Sequence, residues 1–225
     1  MMIDRLNHIH SQIKAAAENA GRAPDSVLLL AVSKTKSAQA ITEAYQAGQR
    51  HFGENYVQEA LAKQQELSAF AITWHFIGPI QSNKTRLIAE HFDWVHSVDS
   101  LKIAQRLSSQ RPAHLAALNI CLQVNISDET SKSGISLEDL AEFCTQIGQL
   151  PQLRLRGVMA IPAPESQFER QRQPYQRLYQ AVKQLPVAAA DLDTFSFGMS
   201  GDLEAAIMEG ATIVRIGTAV FGARD

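Results

Sequence analysis

Cysteine is nearly absent. The 225-residue chain has two, Cys121 and Cys144, far apart and in no Cys-x-x-Cys pair. That speaks against a disulfide framework or a thiolate metal site, and both cysteines read as small packing residues in a reducing cytosol. Long apolar runs are lacking too, since none approaches the roughly 20 residues of a membrane span. The amino-terminal stretch MMIDRLNHIHSQIKAAAENAGRAP carries acids and no apolar segment of the signal-peptide kind, so a cytoplasmic location is expected. Neither charge sign prevails: 21 basic and 23 acidic residues give a net charge of −2, which argues against bulk nucleic-acid binding. The seven histidines show no His-x-x-x-His spacing, and no metal site is expected. A Gly-x-Ser-x-Gly elbow and a nucleotide P-loop are also missing.

What is present is a rhythm. Short apolar runs (VLLLAVS, RHFG, WHFIG, WVHSV, LNICLQV, RLRGVMA, TFSFG and TIVRIG) alternate with amphipathic stretches near 38–48, 55–68, 83–92, 100–109, 137–149, 167–185 and 202–209. An earlier helix carries Ile3, Leu6, Ile9 and Ile13 at helical spacing and stops at Gly21 and Pro24. The runs read as strands apolar on both faces, as in a covered parallel sheet. Eight βα units predict a single (β/α)₈ barrel with an extra amino-terminal helix, an open doubly wound sheet being the alternative. No linker or repeat marks a second domain, so residues 1–225 read as one domain.

The unusual residues gather where strands end: Lys34, then Gly53-Glu54-Asn55, Gly78-Pro79, Asn125, Met159, Gly198-Met199-Ser200, and Arg215-Ile216-Gly217-Thr218. In a barrel those ends share one rim, where barrel active sites lie. Lys34 stops an apolar run, and its amine, partly shielded from water, suits attack on a carbonyl. The alternative is a lysine reaching out to solvent. Lys36 lies just before Ser37, the expected N-cap of the next helix, and suits an outer role. Ser200 is expected to cap a helix running to Gly210, with Gly201 leaving the approach to an anion open and Asp202 turned away. A plain capped helix is the competing reading. Arg215 interrupts an apolar strand, which is costly unless the guanidinium is paired or ligand-bound. Gly217 and Thr218 can present N–H groups and a hydroxyl to the same anion. His75 alternates with apolar neighbours and is expected to face the barrel interior, where a lone histidine is more often a satisfied core group than a ligand.

A lysine on strand one, an anion cradle at strands seven and eight, and a nearby arginine match the needs of pyridoxal 5′-phosphate (PLP): an amine for its aldehyde, donors for its phosphate and a partner for its pyridine nitrogen. An arginine cannot take the nitrogen's proton. It leaves the ring a weaker electron sink than an aspartate would.

The segments LLAVSKTK, FGENYVQEA, WHFIGPIQSNK, NISDETSKSG, RGVMAIPAP, FGMSGDLEAAI and VRIGTAVFGARD resemble, in order and along nearly the whole chain, the YggS/PROSC family of PLP homeostasis proteins. The resemblance implies the barrel of the alanine racemase amino-terminal domain and a PLP-binding role without established turnover. It makes Lys34 the Schiff-base lysine, places the phosphate on Ser200, Gly217 and Thr218, and sets Arg215 against the pyridine nitrogen. Asn55, His75 and Met159 match motif positions near the ring, and Lys132 matches a secondary contact. Two positions depart from the family pattern: Ser37 stands where a proline is common and Leu203 where a methionine is. Neither change removes a functional group.

The partners implied are PLP itself and PLP-dependent apoenzymes, with no nucleic acid and no membrane. The rival reading is a racemase-like enzyme on the same barrel. Racemisation needs a second acid–base group on the other face of the cofactor. In the racemase that group is a tyrosine of an added β-domain in the partner subunit. The chain is expected to lack that domain and so to be monomeric. Tyr45, Tyr56, Tyr175 and Tyr179 are all expected in helices, away from the rim.

Overall fold

The computed structural model describes residues 1–127, 133–186 and 192–222. Its strands are β1 (Leu28–Val32), β2 (His51–Glu54), β3 (Thr73–Phe76), β4 (Trp94–Val98), β5 (Leu118–Gln123), β6 (Leu153–Met159), β7 (Thr194–Ser196) and β8 (Ile213–Ile216). They pair in chain order and close, β8 lying parallel to β1 with Leu30 beside Arg215 and Ala31 beside Ile216. The barrel expectation holds and the open sheet does not.

The helices are α1 (Met2–Asn19), α2 (Ala38–Gln46), α3 (Val57–Glu66), α4 (Thr85–His91, after a 3₁₀ turn at Ser82–Lys84), α5 (Leu101–Gln110), α6 (Leu140–Gly148), α7 (Phe168–Lys183), α8 (Leu203–Met208) and α9 (Thr218–Phe221). The extra helix α1 buries Leu6, Ile9, Ile13, Ala16 and Ala17, one stripe at helical spacing, and packs on α8 and α9. Ser37 caps α2 as expected, its hydroxyl accepting from the Ala40 N–H at 3.2 Å.

Two expectations fail. The helix after β7 begins at Leu203, with Asp202 and not Ser200 at its cap. The Asp202 carboxylate accepts from the Met199 N–H at 2.7 Å and the Tyr175 hydroxyl at 2.6 Å, and this holds residues 199–201 in a turn before the helix. Nor are the strands apolar on both faces. The outer layer, between strands and helices, is apolar apart from a buried cluster of Ser33, Glu54 and Lys63, with Phe52, Phe76, Phe92, Val95 and Phe195 buried there. The barrel axis instead holds His75, His96, Ser196 and Arg215, all buried. Such groups persist inside a barrel only when hydrogen-bonded, and each of these is.

Candidate functional site

Strand alternation sets which side chains enter the barrel. A Cβ on Gly53 would sit 3.3 Å from the Leu30 side chain, so Leu30 faces inward, and Val32 and Lys34 follow on the same side. Lys34, two residues past β1, is half-buried and has no hydrogen bond or ion pair with the described residues. Ser33 faces outward and anchors the strand end, its hydroxyl donating to Glu54 Oε1 at 2.6 Å. Lys63 of α3 donates to that same oxygen at 2.8 Å, to the Ser33 carbonyl at 2.8 Å and to Glu59 at 2.6 Å. Glu59 in turn accepts the Thr35 N–H at 2.5 Å. Thr35 has φ 63°, the left-handed region, which costs a β-branched residue on the order of 1–3 kcal/mol. The Glu59 bond holds it there and so fixes how the backbone leaves Lys34. Burial pushes the Glu54 carboxyl up, against the pull of Lys63 and the Ser33 hydroxyl. Lys36 is half-buried one turn further on, its N–H bonded to the Ser33 carbonyl.

Asn55 follows β2. Its Oδ1 is buried without a hydrogen-bond partner, an acceptor turned to the interior with nothing to accept. Gly78, after β3, crosses so close that a Cβ there would lie 2.3 Å from the Asn55 carbonyl oxygen. The loop keeps that approach through its own carbonyl, which accepts from the Ser97 hydroxyl at 2.5 Å. Tyr56 stands at the N-cap of α3, not inside it, and is 55% exposed. This corrects the expectation that every tyrosine lies within a helix away from the rim.

Arg215 lies on the inner face of β8, 5% exposed. Its Nη1 donates to the Ser196 carbonyl at 2.5 Å and hydroxyl at 2.8 Å, and its Nη2 to the Ala160 carbonyl at 3.1 Å. A guanidinium has five N–H donors. The Nε–H and one Nη2–H are therefore left without an acceptor among the described residues. Met159, the last residue of β6, is buried beside Ser196 in register.

The anion corner forms where β7 and β8 end. Gly198 has φ +84°, a conformation that suits glycine, and opens the chain into exposed Met199, Ser200 and Gly201. Asp202 is spent on the Tyr175 hydroxyl and on the Met199 N–H, which it takes out of that opening. Gly217 lies against β1, a Cβ there meeting the Val32 carbonyl at 3.3 Å, and Thr218 beside it is exposed. The corner thus adjoins the strand that ends in Lys34.

His75 is fully buried, with both ring nitrogens already hydrogen-bonded, to His51 at 3.0 Å and His96 at 2.8 Å. It lies inside the barrel and has no polar atom left for a ligand. Lys132 lies outside the described residues. Sequence reasoning singled out Glu54 only as a strand-end residue, and missed His96, Ser196, Glu59 and Lys63. The only signal was a polar residue alternating with apolar ones in WVHSV and TFS. Among the described residues no group of three or more His, Cys, Asp or Glu is placed to hold a metal, and no helix is long and apolar enough to cross a membrane.

The residues fit PLP: an amine without a partner, two unspent guanidinium donors, an unpaired amide oxygen and an open turn next to a strand end.

Comparison with known proteins agrees. The family described as alanine racemase, N-terminal domain, matches residues 5–225. A pyridoxal phosphate homeostasis protein of Pseudomonas aeruginosa is 60% identical over 222 residues, covering 99% of this chain and 95% of that protein. The protein of that name from Escherichia coli K12 is 56% identical over 223 residues, covering 98% and 95%. PipY of Synechococcus elongatus PCC7942, 41% identical, covers 99% of this chain and 100% of its own. It superposes with a TM-score of 0.88 in the structure without PLP and 0.86 in the one with PLP bound. Fold and relatives converge, and the chain belongs to the alanine racemase N-terminal domain family, among the YggS/PROSC pyridoxal phosphate homeostasis proteins.

Proposed function

We propose that this chain binds PLP in the barrel mouth and serves intracellular PLP homeostasis, holding and releasing the cofactor without robust turnover of a substrate. Bound PLP supplies an aldehyde and an electron-withdrawing pyridine ring. Lys34 offers its amine to the aldehyde. Ser200, Gly217 and Thr218 receive the phosphate, and Arg215 faces the pyridine nitrogen. Asn55 and Met159 border the ring, and His75 acts from beneath through its hydrogen bonds.

The observation that carries this reading is Arg215, anchored to Ser196 and Ala160 with two donors left over. A group that only donates pairs with an unprotonated ring nitrogen. A ring held that way draws electrons weakly, which favours binding over catalysis. The reading takes residues 1–225 as a single domain, monomeric and cytoplasmic, with PLP-dependent apoenzymes as recipients.

Purified protein should turn yellow with PLP, and borohydride should fix the cofactor to Lys34. With free PLP scavenged, the loaded protein should still activate an apoenzyme. A reducible adduct retained in Lys34→Ala would overturn the lysine assignment, and no binding by the wild type would overturn the reading.

Tyr56 favours a second reading, a racemase-like enzyme, because its exposed hydroxyl-bearing ring stands directly after Asn55. Interconversion of L- and D-alanine at about 1 per second or faster, lost in Tyr56→Phe, would establish it.

A further inference from the structure

Beneath the rim a line of hydrogen bonds crosses the barrel interior, linking five strands. Arg215 Nη1 lies 2.8 Å from Ser196 Oγ, Ser196 Oγ 2.8 Å from His96 Nδ1, and His96 Nε2 2.8 Å from His75 Nδ1. His75 Nε2 lies 3.0 Å from His51 Nδ1. Ser196, His96 and His75 are fully buried. His51, at the amino end of β2, is half-buried and lines a cavity of about 710 Å³ on the face opposite the rim, with His10, Lys14, Ser26 and Arg50. Trp94 stacks on His75 with centroids 5.5 Å apart and planes 12° apart, and the Arg156 guanidinium covers Trp94 at 4.7 Å, so the rings cannot turn freely.

Once the Ser196 hydroxyl is assigned as the donor to His96, the direction of every bond follows. A guanidinium only donates, so Ser196 Oγ accepts from Arg215. The one hydroxyl proton of Ser196 is then assigned to His96 Nδ1, the side-chain acceptor in reach. An accepting Nδ1 puts the proton of neutral His96 on Nε2, from which it is donated to His75 Nδ1. The same logic sets His75, which donates from Nε2 to His51 Nδ1, and leaves the His51 proton on Nε2. Arg215 as donor and Ser196 as its relay thus fix three tautomers. Burial, with Arg215 adding to it, holds His96 down to about 3, and burial with its histidine neighbours holds His75 well below the ordinary value, so both rings are neutral as the chain requires.

We propose that Ser196, His96, His75 and His51 are positioning residues that form a one-way chain of donated hydrogen bonds. The chain keeps Arg215 Nη1 spent and its Nε and second Nη2 protons aimed at the cofactor, and it ties cofactor affinity to His51 at the basal cavity. This rests on the reading of Arg215 as the partner of the pyridine nitrogen. A chain whose last link lies at the opposite end of the barrel from the rim lets a change on that far face reach the cofactor with no movement of strands.

The tautomers are measured in the cofactor-free protein by nitrogen-15 imidazole NMR. His51, His75 and His96 should all carry the Nε2 proton at neutral pH. In Arg215→Met the lock is gone, and the His96 and His75 tautomers should become mixed. Either ring protonated on Nδ1 in the wild type, or tautomers unchanged in Arg215→Met, overturns the chain.

PLP titration supplies the second readout. His96→Phe should bind about tenfold more weakly, as expected for a lost buried hydrogen bond. His96→Gln, which keeps one acceptor and one donor, should stay within about threefold. Equal affinity of His96→Phe and the wild type overturns the positioning role. If His96→Phe does not fold, His51→Ala, at the half-buried end, is titrated in its place and should also weaken binding. A wild type that fails to bind PLP sinks the cofactor reading, and the NMR result still decides the chain.

Discussion

Arg215 and Ser196 are bound twice: one guanidinium nitrogen of Arg215 donates to both the carbonyl and the hydroxyl of Ser196, at 2.5 and 2.8 Å. That pairing joins β8 to β7 through the barrel interior and fixes which donors of the arginine remain free. It also makes the interior polar where a barrel of this size would otherwise be filled with aliphatic side chains.

Two lysines near one strand end should respond to mutation in opposite ways. Lys34 has no bonded partner among the described residues, so Lys34→Ala should change unfolding free energy by less than about 0.5 kcal/mol while abolishing borohydride-fixable PLP. Lys63 is buried between Glu54 and Glu59, so Lys63→Ala leaves Glu54 buried and uncompensated, at a cost of roughly 3–5 kcal/mol. Urea unfolding of the cofactor-free variants checks both, and similar losses in the two would refute the division of roles.

Stability should depend on pH with a definite sign. Burial holds His75 and His96 below an ordinary histidine, His96 down to about 3. The unfolded chain takes up these protons near about pH 6.5. Between that pH and about 3 the unfolded state binds more protons, so stability is full above about pH 6.5 and is lost as pH falls. At about pH 5.5 each histidine removes roughly 1.4 kcal/mol relative to alkaline solution. Glu54, whose carboxyl burial raises, acts in reverse: its contribution is present below about pH 4.5 and lost as pH rises through its folded value. The urea midpoint should therefore fall across about pH 6.5 to 5, and His96→Gln should flatten the fall. A midpoint independent of pH over that interval would contradict neutral buried histidines.

Both thiols should be silent. Burial pushes Cys121 up to about 12 and Cys144 up to about 11, which leaves almost no thiolate at neutral pH. A thiol reagent should label neither in the native protein and both in denaturant. Fast native labelling of Cys121 would mean that the barrel interior opens readily.

Gly78→Ala tests the approach of the β3 loop to Asn55. The new Cβ would meet the Asn55 carbonyl at 2.3 Å, against backbone rather than a flexible side chain. A cost of about 1–3 kcal/mol is expected, as for overpacking, together with weaker PLP binding because Asn55 moves with its carbonyl. Full stability with unchanged binding would show that the loop relaxes freely.

The barrel was legible in the sequence because its determinants are local and periodic. Each strand run and each amphipathic stretch carries its own pattern, and all eight strands fall where those patterns lie. Lys34, Arg215, Gly217 and Thr218 were legible as chemistry out of place at strand ends. Ser200 was misread as a cap because Asp202 offers the turn two acceptor oxygens, and the sequence does not say which side chain takes the Met199 N–H. Tyr56 was misread by a single position at a helix boundary.

The sequence by itself determined the order of elements and the family, and narrowed the topology to a closed barrel or an open doubly wound sheet, since repeated apolar periods leave few ways to bury eight strands. Only the tertiary structure decided the interior. His51, His75, His96, Ser196 and Arg215 are spread over 165 positions of chain, and no local pattern relates them. They meet because closing the barrel turns one face of every strand toward a common axis. There a polar side chain must find another as its partner or leave a hydrogen bond unmade.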